Sequence, residues 1–475
     1  MLFNSITFFV FLPIVFFLYW FVLKKRLKAQ NTLILVASYV FYAWWDWRFL
    51  GLIIFSTLVD FYLGIAIGKL TSSKKSKYLL WISLLVNLGF LGVFKYFNFF
   101  IETWVEAWSG LGIDQEVSTL SIILPVGISF YTFQTLSYTI DVYKKKLQPT
   151  QSLLNFAAYV AFFPQLVAGP IERATRLLPQ FSNARNFNIA VAKSGVYLII
   201  WGLFKKVVIA DNCAFYVNQI FGNSDHFTSG ELVFGAVLFA FQIYGDFSGY
   251  SDIAIGTARL FGFQLMTNFA FPYFSRDIAE FWRRWHVSLS TWFRDYLYIP
   301  LGGSRVKQSI QIRNVFVIFL VSGFWHGANW TFIFWGALHA LFFLPLLIFS
   351  LNRKYLKSDG LKLNHILKIG LTFLLVCFAW IFFRADNLGE AFQYINNVSV
   401  FNSFSLLYFV KSSKFMLLSG ILIFSILTML FFEFKAFRNQ LVEVHLNKFS
   451  ATFIIVCIVL MGAFKNQADF IYFQF

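Results

Sequence analysis

The stretch Ser322-Gly-Phe-Trp-His-Gly-Ala-Asn-Trp-Thr-Phe-Ile-Phe-Trp-Gly336 lies between Arg313 and Arg353, an interval with no Asp, Glu, Lys or Arg. That interval is long enough for roughly two membrane crossings of about 20 residues each. A helix starting just after Arg313 and rising about 1.5 Å per residue carries His326 roughly 20 Å along, near mid-depth of a hydrocarbon core about 30 Å thick. An ionisable side chain at that depth is a functional hypothesis by default. The plainer alternative is a neutral imidazole bonded to a backbone carbonyl between helices. Trp325, Gly327 and Gly336 favour a site, because glycines let backbones approach and aromatics shape a cavity for a long apolar or thioester-bearing ligand. His339 fits a helix-helix contact equally well.

Composition extends this reading to the whole chain. Hydrophobic residues make up 59% of the 475, aromatic residues 21% and charged residues 13%. A soluble domain of this size would expose large apolar patches, so the chain is predicted to be an all-α polytopic membrane protein. The first apolar stretch, Phe8 to Leu23, has no basic segment before it and Lys24, Lys25, Arg26 and Lys28 after it, which predicts a retained span rather than a cleaved leader. The net charge of +17 sits in short loops. Positive-inside bias explains it, and nucleic acid is not an expected partner. Three cysteines, Cys213, Cys377 and Cys457, lack ligand spacing, so neither a disulfide framework nor a metal site is expected.

Taken in order, spans are predicted near residues 6–23, 31–46, 49–68, 79–101 and 120–140, then 194–210, within 231–258, 366–383, 413–432 and 450–464. With the uncharged hairpin 314–352, the total is about eleven or twelve crossings in a single domain, 1–475. The loops with Lys24 to Lys28, with Lys69, Lys74, Lys75 and Lys77, and with Lys144 to Lys146 are assigned to the cytoplasm. The loop with Glu102, Glu106, Asp114 and Glu116 is assigned to the outside. Between 151 and 180, Phe163-Pro164, Gly169-Pro170 and Pro179 interrupt an apolar run, predicting a re-entrant or interfacial element that lines a cavity. Asp246 and Asp252, in the span within 231–258, need partners or water. Six residues apart, they lie about 240° apart around a helix and do not form one dyad. Each is a candidate for clamping by an Arg or a Tyr hydroxyl.

The segment 267–313 mixes Arg276, Arg283, Arg284, Arg294, Arg305, Lys307 and Arg313 with Phe281, Trp282, Trp285, Trp292 and Phe293. It predicts an amphipathic, cytoplasm-facing helix whose arginines snorkel, closed by the turn Pro300-Leu301-Gly302-Gly303. His286 is either an ordinary interfacial histidine or part of a site. The neighbouring cations suit an anionic donor such as a nucleotide phosphate.

Seven motifs in order, Gly127-Ile-Ser-Phe-Tyr-Thr-Phe-Gln134, Phe163-Pro-Gln-Leu-Val-Ala-Gly-Pro170, Asp246-Phe-Ser-Gly-Tyr-Ser-Asp252, Arg283-Arg-Trp-His286, Asp295-Tyr-Leu-Tyr-Ile-Pro-Leu-Gly-Gly303, Trp325-His-Gly327 and Phe470-Ile-Tyr-Phe-Gln-Phe475, give the chain its likeness. It resembles the membrane-bound O-acyltransferase family, in its bacterial alginate O-acetyltransferase-like branch. The resemblance implies a ring of helices around a funnel-shaped core, with His326 as the central catalytic residue and His286 as a second active-site histidine. It implies acetyl groups from a cytoplasmic donor, acetyl-CoA, passed outward for O-acetylation of an exported polysaccharide, with a separate extracytoplasmic acyltransferase as partner. The setting is a bacterial inner membrane, in contact with lipid. Arg283 and Arg284 are the candidate donor-binding cations. A relative in the same family transfers D-alanyl groups from a carrier protein toward teichoic acid and is the rival reading; a transporter using His326, Asp246 and Asp252 as a path is another. On chemistry, imidazole titrates near neutral pH and suits the base that acyl transfer to a hydroxyl requires.

Overall fold

The computed structural model describes residues 1–114, 117, 119–120, 122–356, 363–400, 404–464 and 468–471. All its regular secondary structure is helical. In order, the helices are α1 (Ile6–Phe17), α2 (Leu27–Asp46), α3 (Leu50–Lys69), α4 (Ser73–Leu91), α5 (Phe97–Ser109), α6 (Ile128–Tyr143), α7 (Leu153–Val160), α8 (Ala174–Ser182), α9 (Ile189–Leu203) and α10 (Asp211–Gly222). They continue with α11 (Ser229–Leu260), α12 (Ile278–Arg284), α13 (Val287–Phe293), α14 (Gln308–His326), α15 (Trp330–Ile348), α16 (Leu363–Arg384), α17 (Leu388–Ser399), α18 (Leu407–Val410), α19 (Ser413–Arg438) and α20 (Lys448–Met461). Among the described residues, six helical stretches are long and apolar enough to cross a membrane, and two shorter apolar helices accompany them. One of the six, Leu27–Lys69, joins two expected crossings through a 3₁₀ turn at Trp47–Phe49. Large apolar side chains such as Leu367 and Leu460 stand exposed on these helices, which water would penalise and lipid does not. The protein is a polytopic membrane protein.

The chain divides into two compact units, one made of residues 1–195 and 257–266, the other of 196–256 and 267–475. In the first, the buried Asp60 of α3 is satisfied by neutral donors, Ser83 Oγ at 2.6 Å and Asn87 Nδ2 at 2.8 Å. Across 151–180 the chain forms two short helices, α7 and the greater part of α8, separated by turns at Phe163 to Ala168, and both helices are far shorter than a membrane crossing. Phe162, Phe163 and Ala168 there are fully buried, consistent with broken backbone surviving only inside protein.

The second unit holds the carboxylates of α11. A π-helical turn at Phe204–Ala210 brings two adjacent lysines into the interior. Lys205 Nζ lies 2.7 Å from Asp252, while Lys206 Nζ lies 2.9 Å from both Asp246 and Asp211. Lysines thus stand beside these carboxylates, a partner type the expectation of an Arg or a Tyr hydroxyl did not include. Asp246 Oδ2 also accepts from the backbone N–H of Ile471 at 2.8 Å, so a carboxylate of α11 holds the segment that carries Phe470 and Ile471. The remainder of the terminal motif, 472–475, lies outside the described residues, as does Glu116. These carboxylates are clamped structural groups, and removing one member of such a buried pair typically costs roughly 3–5 kcal/mol.

Also in this unit, α14 and α15 form an antiparallel hairpin. Small residues permit the approach: a Cβ on Gly323 would stand 2.2 Å from the carbonyl oxygen of Phe332, and one on Gly336 would stand 2.3 Å from that of Phe319. Val315, Phe319, Ala340 and Leu347 form the buried seam, with Trp282 packed against it.

Candidate active site

The hairpin decides where His326 falls. α14 begins at Gln308, six residues before the expected start, and His326 is its final residue. His326 therefore occupies a helix end at the break between two helices, instead of the middle of a span. Gly327 makes that break: its extended backbone turns away at φ −164°, and any Cβ would stand 2.1 Å from the Phe332 ring. Asn329 restarts the helix, its side chain accepting from Thr331 N–H as an N-cap. His326 is 3% exposed and ringed by aromatics, with Trp335 at 5.1 Å and Phe383 at 5.3 Å between ring centroids, both edge-on.

His286 arrives from a different kind of segment. Where one continuous amphipathic helix was expected, the chain forms two seven-residue helices, α12 and α13. The interruption is His286 itself, in the left-handed region at φ 43°, ψ 53°. A non-glycine residue there is strained, and such strain persists only where surrounding contacts hold it. Asn268 supplies them. Its backbone carbonyl accepts from Val287 N–H at 2.8 Å, its side-chain oxygen accepts from Ser288 Oγ at 2.8 Å, and that same oxygen is 3.0 Å from His286 Nδ1. Asn268 Nδ2 in turn donates to Ser251 Oγ at 3.1 Å, and the backbone N–H of Ser288, which can only donate, lies 3.4 Å from Oδ1 and orients the amide. His286 Nδ1 is therefore the protonated nitrogen, and Nε2 carries the lone pair. Burial pushes the His286 pKa down to about 3, so the ring is neutral across the physiological range.

Trp325 joins the two histidines. Its ring centroid lies 5.9 Å from that of His286 and 5.0 Å from that of His326. Trp335 extends the cluster, 0% exposed and 4.8 Å from the His339 ring, and its indole N–H has no acceptor among the described residues. The sequence-predicted histidines thus belong to one aromatic enclosure, with His339 in its second layer. Asn268 was not anticipated; the only signal available was a lone amide in the apolar run from Leu265 to Phe274.

Beside the enclosure opens a cleft of about 950 Å³. Its lining residues all fall between Trp282 and Arg353. One end is polar and exposed, with Arg294, Ser304, Arg305 and Arg353. The other is apolar, with Trp282, Val315 and Phe319. Arg283 and Arg284 are placed differently from these. Arg284 pairs with Glu280 at 2.9 Å and donates to the carbonyl of Ala270, while Arg283 Nη1 donates to the carbonyl of Asn352, a cleft residue, at 2.9 Å. Arg276 shares Glu280 at 2.9 Å. The spacing Arg276, Glu280, Arg284 is the i, i+4 pattern that makes this bridge legible in sequence.

A buried neutral imidazole, a second imidazole at a helix end and an adjoining cleft with a cationic rim suit acyl transfer, and comparison with known proteins agrees. The membrane-bound O-acyltransferase family model matches residues 144–383. The probable alginate O-acetylase AlgI of Pseudomonas aeruginosa is 40% identical over 442 residues, covering 93% of this chain and 83% of that protein. The peptidoglycan O-acetyltransferase of Helicobacter pylori is 36% identical over 449 residues, covering 87% and 82%. The teichoic acid D-alanyltransferase of Bacillus subtilis is 27% identical over 277 residues, covering 55% of this chain. The chain belongs to the membrane-bound O-acyltransferase family. It is an acyltransferase.

Proposed function

We propose that the protein transfers an acetyl group from a cytoplasmic thioester, acetyl-CoA, toward hydroxyls of an exported polysaccharide, with His326 as general base. The observation that carries this is the pairing of His326 and His286 on either side of Trp325 within one aromatic enclosure. The acceptor hydroxyl attacks the thioester carbonyl while His326 takes its proton; the new C–O bond forms, the C–S bond breaks, and the departing thiolate recovers the proton from the imidazolium. The carbonyl end of α14 favours that transient positive charge. His286, neutral and bearing its lone pair on Nε2, orients the acceptor by accepting from a neighbouring, non-reacting hydroxyl of the saccharide, since the reacting O–H has one proton and His326 takes it. It has no N–H at Nε2 to give an oxyanion, so that role passes to the buried indole N–H of Trp335.

The cleft holds the donor, its anionic phosphates at Arg294, Arg305 and Arg353 and its acyl end toward Trp282. Of the two arginines expected to recruit it, Arg283 contributes through Asn352, and Arg284 contributes electrostatically from its bridge with Glu280. The basic loops then face the cytoplasm of a bacterium's inner membrane and the acidic loop faces outward. A separate extracytoplasmic acyltransferase is the partner in that modification. Relatives that act on alginate and on peptidoglycan make a polysaccharide hydroxyl the common acceptor chemistry. D-alanyl transfer is the weaker reading, since that relative matches barely half of the chain.

The test is mass spectrometry of surface glycan from cells with and without the gene, alongside inverted membrane vesicles supplied with isotopically labelled acetyl-CoA. Loss of glycan O-acetyl groups in the deletion and label transfer in the vesicles are expected. An unchanged O-acetyl content would overturn the reading, and loss of D-alanine esters instead would establish its rival.

A further inference from the structure

We propose that Thr331 is a further catalytic residue, its hydroxyl joining the indole N–H of Trp335 to hold the oxyanion of the tetrahedral intermediate at the break between α14 and α15. The inference rests on the acyl-transfer reading above and assigns a side chain that the reading leaves unused. Thr331 is fully buried, and its Oγ1 has no hydrogen-bond partner among the described residues. A helical threonine commonly returns its proton to a carbonyl one turn back, and a buried hydroxyl left unpaired is unfavourable. Four residues on, Trp335 is equally buried, and its indole N–H also lacks an acceptor there. Residues four apart share a helix face, and long side chains lean toward the helix N-terminus, so the Trp335 ring covers the turn that carries Thr331. Two unsatisfied hydrogen-bonding groups thus stand one turn apart, and the Trp335 ring is 5.1 Å from that of His326.

The surrounding structure fixes both. Asn329 Oδ1 accepts from the Thr331 N–H at 2.9 Å while its Nδ2 donates to the carbonyl of Asp386 at 2.7 Å, so the cap of α15 is itself tied down. Trp335 stacks on Trp380 at 5.6 Å and 17°, which sets the plane of its indole. The two helix poles supply the field. α14 ends at His326 with its carbonyls, which favour a cation, and nineteen-residue α15 begins at Trp330 with its amides, which favour an anion. Attack by the acceptor hydroxyl creates those two charges together: its proton passes to His326, the C–O bond forms, and the carbonyl electron pair moves onto oxygen. Thr331 Oγ1–H and Trp335 Nε1–H donate to that oxygen. When the C–S bond breaks, the electron pair re-forms the carbonyl and the thiolate takes the proton from the imidazolium. Both donor bonds strengthen as the oxygen gains charge, so they lower the barrier more than they tighten ground-state binding.

The experiment uses inverted membrane vesicles with the full-length protein, prepared from cells that make the glycan and supplied with labelled acetyl-CoA. It follows label entering glycan at equal protein abundance, with melting temperatures read on the protein purified in detergent. Thr331→Val keeps the shape and deletes the hydroxyl; the maximal rate should fall about 10²-fold with the KM for acetyl-CoA moved by less than about twofold. Its melting temperature should equal or exceed the parent's, because an apolar group replaces a buried unpaired hydroxyl. Thr331→Ser keeps the hydroxyl and loses a buried methyl, so it should retain most of the parental rate while melting lower. A packing role alone predicts the reverse order, with valine tolerated and serine impaired. A valine variant at the parental rate, or rates that fall in step with melting temperature in both variants, would overturn the assignment and leave acyl transfer standing. Parent vesicles that transfer no label would overturn the acetyl reading and this inference with it.

Discussion

His286 and His326 flank the same tryptophan yet are presented by opposite means. His286 sits between two seven-residue helices in left-handed backbone, aimed by Asn268 and kept neutral by burial. His326 ends a nineteen-residue helix inside a wall of rings, at the helix pole that favours a cation. On the proposed mechanism the contrast divides labour: the histidine that points is fixed by polar contacts that specify one tautomer, and the histidine that takes the proton ends a helix, at its carbonyl pole.

The largest expected effect tests the His326 side. His326→Ala should remain inserted and monodisperse in detergent while transfer falls by about 10⁴, the upper end for acid-base catalysis where no alternative base exists. Parental O-acetyl levels at equal membrane abundance would reduce His326 to a packing residue. Trp335→Phe keeps the ring and deletes the N–H, so a loss of about 10²- to 10³-fold in kcat with little change in KM marks an oxyanion donor. A loss below about twofold would leave the indole as wall alone. On the His286 side, Asn268→Ala should reduce kcat by up to about 10²-fold through misorientation of an imidazole that is still present. Were His286→Ala to prove far milder than Asn268→Ala, the amide would be acting by some route other than aiming His286.

The smallest effect is in stability. His286 has a folded pKa of about 3, below the ordinary 6.5 it regains on unfolding. Below pH 6.5 the unfolded chain therefore binds the extra proton. The contribution is fully present above pH 6.5 and is lost as pH falls toward 3, at up to about 1.36 kcal/mol per pH unit. Thermal unfolding between pH 7.5 and 5 should show this slope in the parent and a shallower one in His286→Asn, chosen because Asn tolerates left-handed backbone. Identical slopes would assign the pH response to other groups.

How much of this was legible varies by residue. The uncharged interval from Arg313 to Arg353 forces a membrane reading of its helices, and its Trp-His-Gly stop marks His326 without any coordinates. Lys205 and Lys206 were a missed signal: adjacent lysines inside an apolar run have to find carboxylates, and Asp211, Asp246 and Asp252 were the available ones. The arginines divide along the same line. Arg284 is committed by i, i+4 spacing to Glu280, which sequence can express. That Arg294, Arg305 and Arg353 share a cleft cannot be read from positions spread over sixty residues.

By itself, then, the sequence determined the solvent, the helical class and the chemistry, because hydrophobic length, charge placement and motif are properties of neighbours along the chain. Tertiary structure alone decided which nitrogen of His286 carries the proton, which indole faces the cleft and which histidine stands behind it. Those depend on contacts between Asn268 and His286, or between Trp282 and His339, residues 18 and 57 positions apart. Only packing brings such pairs within hydrogen-bond reach, and a hydrogen bond has no signature in sequence until both of its ends are in place.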